Sequence, residues 1–425
     1  MSTSSTPPLP QGSQRIGLGF REFVVTIALM TASIAVAIDS MLPALPHIAS
    51  SLNVPNPNDA QLVIAVYFFG FGFAQLVFGS LADAFGRRTI LLLGLAIFTV
   101  TTFAAAWTES FTALLAFRFA QGVGGAAIRI TTTAITRDCF DGREMARVMS
   151  YIMIVFMLVP ILAPSFGQAV LTYADWHWIF ILLGVIGAIL FVWASMRMRE
   201  SLPVSERLPL SVAAISGGFR TVLTNRITCG YMLGLTLFTA VICTFIVTVQ
   251  QIFGTVYGLG DWLPIAFAGT ASGIAVANFV NGYFVRRFGM RRISHACMIV
   301  FTALGLLGVG VALFGTPSFL FTYLMLSIML MFFAVITTNF TAICLEPMGH
   351  IAGTATAVTG FVSTTGGALL GGMIGQMFDG TVRPLFVGFA LFGIFTILAV
   401  LWAERGQLFT HPGDEPEMEP GMGGH

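Results

Sequence analysis

Lysine is missing from this 425-residue chain, and every basic side chain other than histidine is an arginine. A phosphate-gripping loop of the form GxxxxGK[ST] requires a lysine, so an ATP-driven pump built on that loop is excluded. Charge of either sign is scarce, at 9% of residues against 56% hydrophobic, with a mean hydropathy of +0.89. Soluble domains carry roughly 25% charged residues, so the composition implies an integral membrane protein in contact with the lipid bilayer. Cysteine is sparse as well. Cys139, Cys229, Cys243, Cys297 and Cys344 form no CxxC or other ligand spacing and read as small buried apolar groups. His47, His177, His295 and His350 are scattered, while His411 and His425 belong to a polar tail. No catalytic constellation, metal set, cofactor motif or nucleic-acid-binding signal emerges. A channel's filter ring is also not legible.

Long apolar runs are abundant. Twelve have the length of a membrane span, at 23–43, 61–82, 89–107, 111–135, 148–171, 177–196, 227–250, 262–285, 293–314, 319–342, 353–377 and 384–403. The opening stretch is too polar for a signal peptide, so the first run is expected to stay as a spanning helix. Arginines cluster on alternate connections: Arg15 and Arg21, Arg87 and Arg88, Arg137 to Arg147, Arg197 to Arg226, Arg286 to Arg292, and Arg405. The opposite side has Arg383. By the positive-inside rule both termini are cytoplasmic, in a multi-pass protein of a bacterial inner membrane.

The chain repeats itself. Gly79-Ser-Leu-Ala-Asp83-Ala-Phe-Gly86-Arg87-Arg88 ends the second run, and Gly282-Tyr-Phe-Val-Arg286-Arg-Phe-Gly289-Met-Arg291 ends the eighth. Two six-span halves are implied, with a cavity between them near the midplane. The expected organisation is a cytoplasmic segment 1–22, a first half 23–196, a cytoplasmic linker 197–226, a second half 227–403, and an acidic, disordered tail 404–425. Glycines at matched positions imply tight turns and close helix packing.

With these features the sequence resembles the major facilitator superfamily, whose signature loop between spans two and three matches Gly79, Asp83, Gly86, Arg87 and Arg88. The second copy has Arg286 where the first has Asp83. Within that superfamily, Asp39-Ser-Met-Leu-Pro43-Ala-Leu-Pro46 and Arg118-Phe-Ala-Gln121-Gly122-Val-Gly124 resemble the first- and fourth-span motifs of Bcr/CflA-type drug exporters. Pro160-Ile-Leu-Ala-Pro164-Ser-Phe-Gly167 is similar to the fifth-span motif of antiporters, with Ala163 where glycine is usual. The resemblance implies an all-α membrane protein of twelve transmembrane helices around a central cavity. It further implies a monomeric, proton-coupled antiporter exporting amphipathic drugs or related small organic molecules. A proton-coupled symporter, or an exporter of one metabolite such as an amino acid, is the alternative. Gly79, Asp83, Gly86, Arg87, Arg88, Pro160, Pro164, Gly167, Arg286, Gly289 and Arg291 are then the conformational-switch positions, Asp83 and Arg87 holding an outward-open state through neighbouring helix ends.

The chemistry centres on charges placed in hydrocarbon, which are costly there and mark function. Asp39 is the one acid well inside an apolar run, about 6 Å below its outer end, and Arg118 lies roughly 10 Å deep in the fourth. Similar depth suggests direct or water-mediated pairing and makes the two the proton-coupling candidates. Burial disfavours the carboxylate while an adjacent cation favours it, so proton and cargo would compete for Asp39. Each has a plainer reading: Asp39 as a wet helix end, Arg118 as a brace on helix carbonyls. Arg129 either faces the cavity and attracts an anionic or zwitterionic cargo, or snorkels to the surface. With Tyr67, Gln75, Gln121, Gln168, Tyr231, Asn278 and Asn339 it completes the expected cavity lining. The repeat maps Asp39 onto Ile242, so one proton site is expected.

Overall fold

A helix is the economical answer to a chain in lipid, because it satisfies its own backbone donors and acceptors. The computed structural model describes residues 12–207 and 212–409, and helices dominate them throughout. Most of the Ser/Thr/Pro-rich opening stretch, four residues of the linker and the acidic tail beyond 409 lie outside the described residues.

Among the described residues, twelve helices are long and apolar enough to cross a membrane. They are α1 (Phe20–Asp39), α2 (Leu62–Phe85), α3 (Arg87–Ala106), α4 (Phe111–Cys139), α5 (Gly142–Tyr173) and α6 (His177–Arg197) in the first half. The second half holds α7 (Arg226–Gln251), α8 (Leu263–Phe288), α9 (Met290–Leu313), α10 (Phe319–Leu345), α11 (Ala352–Gln376) and α12 (Arg383–Ala403). Ser110, Asn225 and Ser318 start α4, α7 and α10 by accepting a first-turn N–H, the capping expected of such side chains. Gly86 and Gly289 end α2 and α8 at φ of +99° and +82°. Both turns of the repeat therefore use glycine for a backbone shape that a Cβ would oppose.

The halves pack alike: α2 and α3 flank α4 and α3 lies on α6, as α8 and α9 flank α10 and α9 lies on α12. They join chiefly through α2 against α11 and α5 against α8. Large apolar side chains left exposed, such as Trp178, Ile189 and Trp193 on α6 and Phe395 and Leu398 on α12, form the face that lipid covers.

Two expectations change. The first span does not end near Pro43, because helical backbone resumes after a break at Ser40–Met41 and runs through Leu42–Ala44 to Leu45–Ser51. The linker holds a helix, Val212–Thr224, packed on α11, where Gly218 abuts Thr354. Finally, Gly86 and Gly289 serve as turns, but a Cβ on Gly79 or Gly282 would meet nothing within 4 Å. Those two glycines face open space, so close packing does not explain them here.

Candidate functional site

The longer first span relocates Asp39. Twelve residues separate it from Ser51, or about 18 Å of helix, instead of the short distance to Pro43. Its side chain is buried at 6% exposure, not a wet helix end. Among the described residues its carboxylate has no hydrogen bond or ion pair. The adjacent Ser40 hydroxyl is buried and unpartnered too. Gly167 of α5 allows this break in α1 to seat: an ideal Cβ there would lie 2.1 Å from the Ser40 carbonyl oxygen and 3.0 Å from Pro43. Pro160 and Pro164 lie within the same continuous helix. Each deletes one backbone donor without breaking it.

Arg118 is fully buried and does not pair with Asp39. Its Nε donates to the Val63 carbonyl at 2.8 Å, and its Nη1 donates to the Ala37 carbonyl at 3.0 Å and to Gln121 Oε1 at 2.6 Å. Gln121 in turn donates to the Thr102 hydroxyl at 2.6 Å. The guanidinium lies 4.6 Å from the centre of the Tyr67 ring, a cation–π contact that desolvation strengthens. One side chain thus ties α1, α2, α3 and α4 together, while its Nη2 stays buried without a partner. Tyr67 and Gln121 are wholly buried in this packing and present no surface to a cavity.

The remaining polar positions separate into several places. Tyr231 is buried away from the centre, its hydroxyl donating to Glu404 at 2.7 Å and contacting His295 at 2.8 Å. Asn339 donates to Asn281 at 3.0 Å and Asn278 accepts from the Thr338 hydroxyl at 2.9 Å, so both lie on the α8–α10 contact. Gln75 donates to the Thr364 hydroxyl at 3.1 Å across the α2–α11 seam. Gln168 is half-buried. Arg129, also half-buried, has its guanidinium 5.6 Å from the centre of the Phe156 ring on α5.

The α2–α11 seam shows which end of the molecule is shut. A Cβ on Gly375 would strike Gln61, one on Gly72 would strike Thr365, and one on Gly360 would strike Gln75. Further toward the arginine-rich end the contact stops, and Gly79 and Gly353 face nothing within 4 Å. At the arginine-poor end four amide side chains latch the halves. Asn58 donates to the carbonyls of Gln376 (3.1 Å) and Phe378 (2.9 Å), Gln376 donates to the Asn58 carbonyl (2.9 Å), and Gln251 donates to Asn58 Oδ1 (2.9 Å). Gln61 also donates to Gln251. None of these four amides is among the site residues read from the sequence. The available signal was a set of amides at span ends in both halves.

At the arginine-rich end each half has its own charge cluster. Arg87 pairs with Asp83 at 2.5 Å and Asp138 at 3.3 Å, Glu200 accepts from the backbone N–H of Arg87 at 2.8 Å, and Arg88 donates to the Ser195 carbonyl at 2.6 Å. In the second half Arg291 pairs with Glu346 at 3.1 Å and Glu404 at 2.9 Å. Arg286 is exposed. None of the ion pairs among the described residues links α1–α6 to α7–α12.

A sequence profile described as Major Facilitator Superfamily matches residues 27–372, most of the chain. The chain belongs to the Major Facilitator Superfamily. Among curated relatives, a bicyclomycin resistance protein homolog of Haemophilus influenzae is 28% identical over 392 residues, covering 89% of this chain and 94% of that protein. The multidrug resistance protein MdtL of Escherichia coli O157:H7 is 29% identical over 273 residues, 63% of this chain and 68% of that protein. Solved structures share the fold. A nucleoside transporter NupG variant superposes with a TM-score of 0.69 at 13% identity, covering 90% of this chain and 99% of that one. A bacterial Spinster homolog in an inward-facing, unoccupied conformation gives 0.66 at 16% identity, with 90% and 96% covered. This superfamily member is therefore a multi-pass, inner-membrane-type secondary transporter of small organic solutes and not an enzyme.

Proposed function

We propose that the protein is a proton-coupled antiporter that exports amphipathic small organic molecules, drugs among them, and that Asp39 is its proton carrier. The observation that carries this reading is a buried carboxylate without a partner at the break in α1. A lone acid in that setting is poorly stabilised when charged, so it favours either a proton or a cationic cargo, and the two exclude each other. The resistance names of the relatives agree with export.

The arginine-rich end is cytoplasmic in this proposal, by the positive-inside rule. The seam is then shut toward the outside and parted toward the cytoplasm, the state that loads cargo for export. Cargo bound at deprotonated Asp39 crosses as the halves rock; outside, a proton displaces it and the protonated, neutral site returns. The empty carboxylate is the form that must not cross, and its burial cost supplies that barrier. Arg118 holds α1, α2 and α4 in register at the level of Asp39 and leaves a fixed positive charge nearby. Asp83 and Arg87, satisfied here within their own half, are free to engage the opposite half when the cytoplasmic side closes.

The test is direction-resolved flux in proteoliposomes carrying an imposed pH gradient, with a panel of cationic, neutral and anionic drugs and amino acids. Export-direction flux driven by an inward proton gradient is expected, and Asp39→Asn should keep binding while losing gradient-driven flux. Cotransport of cargo and proton in one direction, or intact coupling in that variant, refutes the reading.

A further inference from the structure

Away from the helix ends, the twelve spans contain three charged side chains: Asp39, Arg118 and Arg129. Arg118 is occupied by carbonyls and aromatic rings. Asp39 and Arg129 have opposite signs, and neither has a hydrogen-bonded or ion-paired side-chain partner among the described residues.

Their relative depth follows from packing. Gly125 of α4 faces Ile34 of α1, since an ideal Cβ on Gly125 would lie 3.5 Å from Ile34 Cγ2. Asp39 lies five residues toward the arginine-poor end from that level, and Arg129 four residues toward the other. At 1.5 Å per residue their backbones are about 13 Å apart along the bilayer normal. Arg129 is ten residues, roughly 15 Å, from the Cys139 end of α4, well inside the span. Its guanidinium rests on Phe156 of α5, and the side chain is half-buried, so part of it stays open to a cargo.

A cation held at that depth with an aromatic face beneath it and no acid beside it is suited to an anionic group on the cargo. Exchange at Asp39 asks for a cationic group on the same cargo. Building on the proposed exchange mechanism, we infer that the preferred substrate is an elongated zwitterion, its cationic centre at Asp39, its carboxylate-like group at Arg129 and its apolar body along Phe156. A purely anionic cargo would bind best with Asp39 protonated, which gives cotransport. A purely cationic cargo would leave Arg129 uncompensated. The zwitterion satisfies both charges and still competes with the proton.

One probe skeleton in four charge forms tests this: the tripeptide phenylalanyl-alanyl-phenylalanine, its methyl ester, its N-acetyl derivative and the doubly blocked compound. Binding to the purified full-length protein is read as ligand-dependent thermal stabilisation. The free tripeptide is expected to bind roughly tenfold more tightly than the ester or the N-acetyl form. Arg129→Gln should bring it to the level of the ester, and Arg129→Lys should keep part of the preference. Equal affinity for the tripeptide and its ester, a preference that survives in Arg129→Gln, or binding of none of the four forms overturns the inference. Proton-driven flux of ethidium in proteoliposomes is measured in parallel on the unmodified protein. Its absence refutes the exchange mechanism, while the binding series still decides the charge preference.

Discussion

The two halves repeat one scaffold but differ in where they keep charge. In the first six spans, Asp39, Arg118 and Arg129 stand far from the span ends; in the last six no Asp, Glu or Arg does. Ile242, the repeat counterpart of Asp39, is a half-buried apolar residue packed into the core. The second half instead keeps its ion-paired cluster at the arginine-rich end, where Arg291 joins Glu346 and Glu404, and Glu404 also accepts from Tyr231. Duplicated architecture has thus been divided, with charges deep in the spans on one side and none on the other. Substitutions that treat the halves unequally test this division directly.

The largest expected effect comes from Asp39→Asn. It should reduce gradient-driven flux by about a hundredfold and leave cargo affinity within a few-fold, the signature of a lost coupling step rather than a lost fold. Ile242→Asn, the matched change in the other half, should affect flux far less. Comparable losses in both variants, measured in proteoliposomes, would erase the distinction between the halves. Next in size is Gly167→Ala, because a methyl group there meets a backbone carbonyl that cannot move aside without shifting the break in α1. A loss of about 1–3 kcal/mol is expected, read as a lowered unfolding temperature. Gly79→Ala, at an open position of the repeat, should leave stability unchanged.

Much of this was readable in the residues themselves. Twelve apolar runs, the arginine clusters and the Gly86/Gly289 repeat yield the spans, the halves and the turns, since hydrocarbon length and a positive φ leave few alternatives. Arg118 and Asp39 were identifiable as sites because charge in a span is rare. Their relationship was not identifiable. Pairing was inferred from equal depth, whereas the guanidinium turns to the Val63 and Ala37 carbonyls, a choice set by side-chain direction that a run of letters does not encode. The depth of Asp39 was underestimated because Pro43 and Pro46 look like the end of a span, yet proline is tolerated in the first turn of the helical segments that resume there. Tyr231 was assigned to the cavity on its polarity, but its hydroxyl is consumed by Glu404 and His295, contributed by helices distant in sequence.

A comparison of the two charge clusters comes third. Arg291 bridges two carboxylates with its side chain 12% exposed, and Glu404 is 9% exposed; Arg87 has the more exposed Asp83, at 40%, as one of its partners. Removing Arg291 takes the counter-charge from the largely buried Glu404, which keeps its bond from Tyr231, at a cost of about 3 kcal/mol, and removing Arg87 should cost less because water reaches Asp83. Arg291→Gln should therefore lower the unfolding temperature more than Arg87→Gln. Arg87→Gln should instead be the variant that changes flux, if its cluster switches partners between states.

The smallest effect is expected at the latch. Asn58 makes three of its hydrogen bonds with Gln376, Phe378 and Gln251, all neutral and only partly buried. Each bond is then worth about 0.5–1.5 kcal/mol, and the open state recovers part of that by hydration. Asn58→Ala should shift the population toward opening at the arginine-poor end by a few-fold without unfolding the protein. A cysteine at Ala65, beside Gly372 on the same seam, reports the shift through its rate of modification by a membrane-impermeant maleimide added from outside. Faster labelling in the Asn58→Ala background supports a latch that holds the halves together at that end. An unchanged rate would mean that the glycine-lined helix contact of α2 with α11, and not the amide bonds, keeps the seam shut.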